Sequence, residues 1–178
     1  FMPAEDGAMT DTASGWIAGL LHHAPSMSLF AVPTITGYKR YRAHSLAPER
    51  ISWSHDGRGA LIRALCRHGD AASRVENRGG EPAANPYLYL ASQMFAGLDG
   101  ITAGREAPPA AADAYDDALP RLPSSLYEAL ALARDDAFVR DRFGATFMDC
   151  YVAIKKAELA SFATHVGDWE HRASFAAF

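Results

Sequence analysis

Alternation with a period of two is confined to one block of this chain, residues 51–78, and helical spacing prevails on both sides of it. Ile51-Ser52-Trp53-Ser54 alternates as a half-buried strand does, and His55-Asp56-Gly57 is a turn signal. Gly59-Ala60-Leu61-Ile62-Arg63 returns as a second strand, which predicts a hairpin. Ser73 to Arg78 reads as a third strand, with Arg74, Glu76 and Arg78 on one face. Upstream, Thr10 or Thr12 can cap a helix carrying Trp16, Ile17, Leu20 and Leu21, ending near Pro25. Leu29 to Tyr38 is an apolar run into a loop, and Arg40 to Pro48 has no clean period and reads as an ordered loop. Downstream, Asn85-Pro86 opens a helix with Leu88, Ala91, Phe95 and Leu98 at helical spacing, running to about Gly104. Ala107 to Pro123 is a loop rich in Pro, Ala and Asp. Ser125 with Glu128 makes a capping box for a short helix through Ala133. A long helix follows Gly144, with Phe147, Tyr151, Ile154 or Lys155, and Leu159 near one stripe. Three strands followed by four or five helices predict an α+β fold.

The 178 residues suit one domain with a real core, and 49% hydrophobic with 21% charged residues excludes a disordered chain. No apolar run is long enough to cross a bilayer, and no basic segment followed by an apolar one suggests secretion. Cys66 and Cys150 lie far apart in no metal-like spacing and read as free thiols of a reducing, cytoplasmic compartment. The opening Phe1-Met2-Pro3-Ala4-Glu5-Asp6-Gly7 is unusual for a mature domain and predicts a fragment of a larger chain, inactive alone.

Charge narrows the function classes. Lys39 to Arg78 carries nine basic and four acidic side chains, a local +5 in a chain of net −4, so the remainder is −9. A cationic segment in an acidic protein points to a small polyanion, and the acidic remainder disfavours nucleic acid. The plainer reading is a solvated face with scattered arginines. Arg74, Glu76 and Arg78 likewise admit two readings. Spacing alone favours an ion-pair ladder on a sheet. The other is a metal-binding carboxylate beside an anion-binding arginine, the pair that polyphosphate transfer uses. Arg58 and Arg63 flank the second strand at an odd separation, which sends them to opposite faces unless a bulge at Gly59 re-aims one. His22 and His23 adjoin on a helix and point apart, so a structural role outweighs metal binding; His55 belongs to the turn and is expected to be exposed.

The order of segments adds what no single one carries. Pro33-Thr34-Ile35-Thr36-Gly37-Tyr38-Lys39-Arg40, Arg58-Gly59-Ala60-Leu61-Ile62-Arg63 and Arg74-Val75-Glu76-Asn77-Arg78 occur in sequence. Glu81-Pro82-Ala83-Ala84-Asn85-Pro86-Tyr87-Leu88 and Gly97-Leu98-Asp99-Gly100-Ile101 follow. Over nearly its whole length the chain resembles the carboxy-terminal part of the glutamine synthetase catalytic domain. Ser45-Leu46-Ala47-Pro48-Glu49-Arg50 resembles the branch with γ-glutamylmethylamide synthetases and atypical glutamine synthetases. The resemblance implies antiparallel strands of a glutamine synthetase-type sheet and a mostly helical carboxy-terminal half. It implies that Arg40 holds glutamate's carboxylate, that Arg58 and Arg63 contact ATP phosphates, and that Arg74 supports the nucleotide site. It implies that Glu76 ligates a divalent metal, Mg2+ or Mn2+, and that Arg78 contacts both glutamate and the transferring phosphoryl group, with Arg58 and Arg78 the catalytic pair.

The implied reaction joins glutamate to ammonia or a small alkylamine, with ATP, through γ-glutamyl phosphate, in a large ring-shaped homo-oligomer. The family often has a glutamate that binds ammonium just before Ala-Pro on the loop, where this chain has Leu46. An apolar side chain there suits an alkylamine, and it equally suits neutral drift. Glutamine synthetase proper, a γ-glutamylmethylamide or γ-glutamylpolyamine synthetase, and a non-catalytic homologue with an assembly or regulatory role all remain open on sequence.

Overall fold

The computed structural model describes residues 9–42, 44–175 and 177. The opening Phe1–Gly7 stretch lies outside the described residues. The order is helix α1 (Asp11–Ala31), a 3-10 turn (Gly37–Arg40), strands β1 (Trp53–His55), β2 (Ile62–Leu65) and β3 (Arg74–Asn77), then α2 (Pro86–Thr102), α3 (Leu126–Arg134), α4 (Ala137–Phe143), α5 (Ala145–Ala163) and α6 (Asp168–Phe175).

Helix α1 is the spine. Thr10 caps it, its side chain accepting from the Ala13 amide at 3.2 Å. The helix passes through Pro25 instead of ending there. An interior proline costs about 3 kcal/mol. Continuing the helix buries Leu29 and Phe30 completely, and a fully buried side chain of that size returns about 1.5–3 kcal/mol. Packing therefore outweighs the break. The helix has a core on each side. Ile17, Leu20, Leu21 and Ala24 pack with Trp53, Leu61 and Ile62 of the sheet region. Met27, Leu29 and Phe30 pack with Leu126, Leu130, Val139, Met148 and Val152 of the helical half.

The sheet has the order β1-β2-β3 and is mixed. β2 and β3 are antiparallel, with Arg63 opposite Glu76. β1 and β2 are parallel, with Trp53 opposite Ile62, so the expected hairpin and the expected all-antiparallel sheet are both corrected. Parallel pairing normally needs a long crossover. Here β1 is three residues long, so the chain returns only about 10 Å, within reach of the segment 56–61. Asp56 starts the return at φ 57°, its amide donating to the Ala64 carbonyl at 3.0 Å.

Helix α2 starts where expected. Asn85 accepts from the amides of Tyr87 (3.0 Å) and Leu88 (3.3 Å), and Pro86 opens the first turn. Its buried face differs from the expected stripe. Leu98 is 46% exposed, whereas Ser92, Ala96, Gly97 and Gly100 are buried. The contact with α1 is a backbone approach between small residues, and a Cβ on Gly19 would lie 2.9 Å from the Gly100 Cα. Ser125 caps α3, accepting from the Glu128 amide at 3.2 Å, and Glu128 reaches back to the Ser124 amide at 2.8 Å. On α5 the buried line is Met148, Val152, Lys155 and Leu159, while Ile154 faces outward. The segment 107–120 has no regular element and is tied down by buried Arg50, which donates to the Leu119 carbonyl at 3.0 Å and pairs with Asp117.

Candidate active site

Of the arginines singled out by sequence, Arg63, Arg74 and Arg78 gather on Glu76, while Arg40 and Arg58 adjoin that cluster through backbone carbonyls. Glu76, on β3, is its centre. Period-two geometry puts Arg74 and Arg78 beside it on one face, and strand pairing puts Arg63 across from it. Arg63 Nη1 donates to Glu76 Oε2 at 3.0 Å, Arg74 Nη2 lies 3.4 Å from the same oxygen, and Arg78 Nη1 lies 3.3 Å from Oε1. Arg63 also pairs with Asp56 in the preceding turn, and that hydrogen bond holds the Asp56 carboxyl below the usual carboxylate range.

Arg78 is the hub. Its Nε donates to the Arg58 carbonyl at 2.9 Å and its Nη2 to the Leu46 carbonyl at 3.3 Å. One guanidinium thus spans the sheet, the 56–61 turn and the 42–47 loop. Arg58 lies in that turn, outside β2, so no bulge at Gly59 is needed to aim it. Its side chain is exposed and makes no hydrogen bond among the described residues. Arg40, ending the 3-10 turn, donates to the carbonyls of Gly80 (2.8 Å), Arg78 (3.1 Å) and Gly79 (3.2 Å). Glu81 fixes this corner from the other side, accepting from the Thr34 amide at 3.1 Å and the Thr34 hydroxyl at 2.8 Å.

An open cleft of about 480 Å³ borders the cluster at Glu76 and Arg78, walled by Arg40, Arg42, Ser45, Leu46, Ala47, Glu76, Asn77 and Arg78. The 42–47 loop that forms one wall bends sharply, with His44 at φ 62° and Leu46 at φ 61°. A second cleft of about 440 Å³, walled by Trp53, Pro108, Pro109, Pro120 and His22, shares no lining residue with the first.

The cluster supplies cations and one carboxylate. Among the described residues no three His, Cys, Asp or Glu gather in a metal-binding group. A hard divalent cation takes about six oxygen ligands. Glu76 alone could supply no more than one residue to such a set. His23 has a structural role: it is buried, its Nε2 lies 2.9 Å from Asp99 Oδ2, and its ring stacks on Phe138 with centroids 3.8 Å apart. His55 is exposed as expected, although it ends β1 instead of lying in the turn, and Cys66 and Cys150 are free thiols.

The family model "Glutamine synthetase, catalytic domain" matches residues 1–174. The chain belongs to the glutamine synthetase catalytic-domain family. Within that family it is 41% identical over 163 residues to "Gamma-glutamylanilide synthase" of Acinetobacter sp, covering 91% of this chain and 33% of that protein. It is 37% identical over 175 residues to "Gamma-glutamylethanolamide synthetase GlnA4" of Streptomyces coelicolor, covering 97% of this chain and 37% of that protein. The solved structure "Apo GmaS without ligand" superposes with a TM-score of 0.85 at 26% identity, over 99% of this chain and 41% of that one. The chain spans about a third to two-fifths of these relatives. Their names fit the branch that the 45–50 loop resembles. The glutamine synthetase-type fold is thus found as expected, apart from the direction of β1.

Several members of the cluster were not legible in sequence. Asp56 read as a turn residue, although the turn signal itself marked its position. The carbonyls of Leu46, Gly79 and Gly80 carry no side-chain signal at all.

Proposed function

We propose that this chain supplies the arginines and one metal carboxylate to the active site of an ATP-dependent ligase. That enzyme joins glutamate's γ-carboxylate to ammonia or a small amine. The observation that carries the reading is the Glu76 cluster, in which Arg63, Arg74 and Arg78 meet one carboxylate at the edge of an open cleft. Family membership and relatives named as γ-glutamyl amide synthetases support it.

Carboxylate attack on a triphosphate brings like charges together, and fixed cations offset that repulsion. Arg58, exposed and uncommitted, and half-exposed Arg74 are placed to take phosphate oxygens, with Arg63 behind them. Arg78, touching both the cleft and the Arg58 turn, is placed to follow charge as it moves from ATP to the acyl phosphate. Arg40 reaches glutamate's carboxylate by exchanging a carbonyl partner. Glu76 is proposed as one ligand of Mg2+ or Mn2+, which would neutralise phosphate charge, with the remaining ligands from outside this chain. Phosphorylation converts a poor leaving group into phosphate, which the amine displaces. The chain is proposed as the carboxy-terminal portion of that catalytic domain, working in a large ring-shaped homo-oligomer.

The test is coupled phosphate release by the full-length protein carrying this chain, with glutamate, ATP and divalent metal. Ammonium, methylamine, putrescine, aniline and hydroxylamine are compared. Amine-dependent release with at least one acceptor is expected. Absence of release with every acceptor refutes the ligase reading.

A further inference from the structure

One side chain in the cleft does not match its surroundings. Leu46 is 52% exposed, at φ 61°, among lining residues that are otherwise charged, polar or small. Left-handed backbone at a non-glycine residue costs about 1–3 kcal/mol, and it persists where the surroundings over-determine it. Here Arg78 holds the Leu46 carbonyl at 3.3 Å, and Ser45 Oγ donates to the carbonyls of Arg40 (2.9 Å) and Arg42 (2.6 Å). The leucine is thereby held at a fixed position relative to Glu76, through the guanidinium that touches them both.

Charge makes the second point. The ionised side chains lining the cleft are Arg40, Arg42 and Arg78 against Glu76, and Glu76 already faces three guanidinium groups. A protonated alkylamine or ammonium entering this cleft meets net positive charge and, among the described lining residues, no uncommitted carboxylate. A neutral amine meets no such barrier, and an apolar substituent on it finds Leu46 waiting.

We infer that the acceptor is a primary arylamine, neutral at physiological pH, whose ring packs on Leu46. This rests on the ligase reading above and names the acceptor class of that same site. The arylamine nitrogen lone pair forms the C–N bond to the γ-carbonyl of glutamyl phosphate. The C–O bond to phosphorus breaks with its electron pair leaving on phosphate, and the nitrogen's surplus proton passes to that phosphate. Because the arylamine arrives neutral, no carboxylate is needed to bind a cation or to deprotonate it beforehand.

The experiment compares aniline, benzylamine, methylamine, ammonium and hydroxylamine in the phosphate-release assay, using the full-length enzyme and its Leu46→Ala, Leu46→Met and Leu46→Glu variants. Benzylamine carries the same ring but is protonated at neutral pH, so it separates charge from shape. Wild type is expected to show kcat/KM for aniline at least tenfold above benzylamine, methylamine and ammonium. Leu46→Ala raises the KM for aniline about tenfold, the scale of a lost apolar contact in a pocket, while leaving the KM for glutamate unchanged. Leu46→Met retains most of the aniline preference, and Leu46→Glu shifts preference toward the cationic amines. Equal or better use of ammonium or methylamine by wild type overturns the inference, as does an aniline KM indifferent to Leu46→Ala. Formation of γ-glutamyl hydroxamate without use of aniline leaves the ligase reading standing and removes the arylamine. No phosphate release with any amine, hydroxylamine included, removes both.

Discussion

Replacing Glu76 by Gln tests whether the cluster is held together by charge. The substitution keeps the shape and one acceptor oxygen and deletes the negative charge. Three guanidinium groups at 3.0, 3.3 and 3.4 Å then face one another around a neutral amide. The Coulomb energy of one such pair is about 4 kcal/mol at a surface-like dielectric, before desolvation and side-chain entropy are subtracted. Solvent screens these pairs. The Glu76 side chain is 30% exposed and that of Arg74 is 51% exposed, against 13% for Arg63. Measured exposed pairs return about 0.2–1 kcal/mol each, so Arg63 sits at the upper end and Arg74 at the lower. Arg63 also keeps its Asp56 partner in the variant. The net expectation is a loss of about 1–2 kcal/mol. Thermal unfolding followed by circular dichroism at 50 mM salt should show a Tm drop of about 2–8 °C, shrinking at 500 mM salt as the guanidinium groups are screened from one another. An unchanged or higher Tm at low salt, or a drop that salt does not relieve, refutes the electrostatic account of the cluster.

Gly100→Ala drives a methyl group into the Gly19 backbone and should cost at least about 1–3 kcal/mol, read as a lower denaturant midpoint; a neutral result contradicts the close helix approach. Asn85→Ala removes the acceptor of two α2 amides and should cost about 1 kcal/mol in the same assay. Partial desolvation, with the Arg105 and His23 charges beside it, lowers the His22 imidazole below its ordinary value of 6.5, so the unfolded chain binds more protons there. Stability should therefore fall as pH drops below 6.5, and His22→Gln should flatten that part of the profile. His23 lowers the Asp99 carboxyl through their hydrogen bond, with the same sign, so that stability is present above 3.8 and lost on further acidification. Asp99→Asn should remove that acid limb, and persistence of the limb counts against the assignment.

What sequence made legible was local. The caps at Thr10, Asn85 and Ser125 were readable because each is a side chain bonded to its own helix start. The shared face of Arg74, Glu76 and Arg78 followed from the pleat alone. The order of arginines and the glutamate along the chain marked a candidate site through its resemblance to a family. What sequence hid was long-range. The direction of β1 depends on a six-residue return, 56–61, whose local signals also fit a hairpin. Pro25 lies inside α1 because two cores, one on each side, hold the helix. The α1–α2 contact uses Gly19, Ala96 and Gly100, which a search for large apolar residues passes over. The present partners of Arg40 were also hidden. In the structure its donors lie on carbonyls of the 78–80 segment, partners far away in the chain and without side-chain signatures.

The most direct test of convergence on one pocket is a double-mutant cycle read by calorimetric titration of ATP with divalent metal. It uses the full-length protein, Arg58→Ala, Arg78→Ala and the double variant. Arg78 Nε donates to the Arg58 backbone carbonyl at 2.9 Å and so anchors the turn that carries the Arg58 side chain; the account places both guanidinium groups on one ligand. Each single variant is predicted to weaken ATP about tenfold or more, with the double variant departing from additivity by at least about 0.5 kcal/mol. Equal ATP affinity in all four proteins would contradict the account.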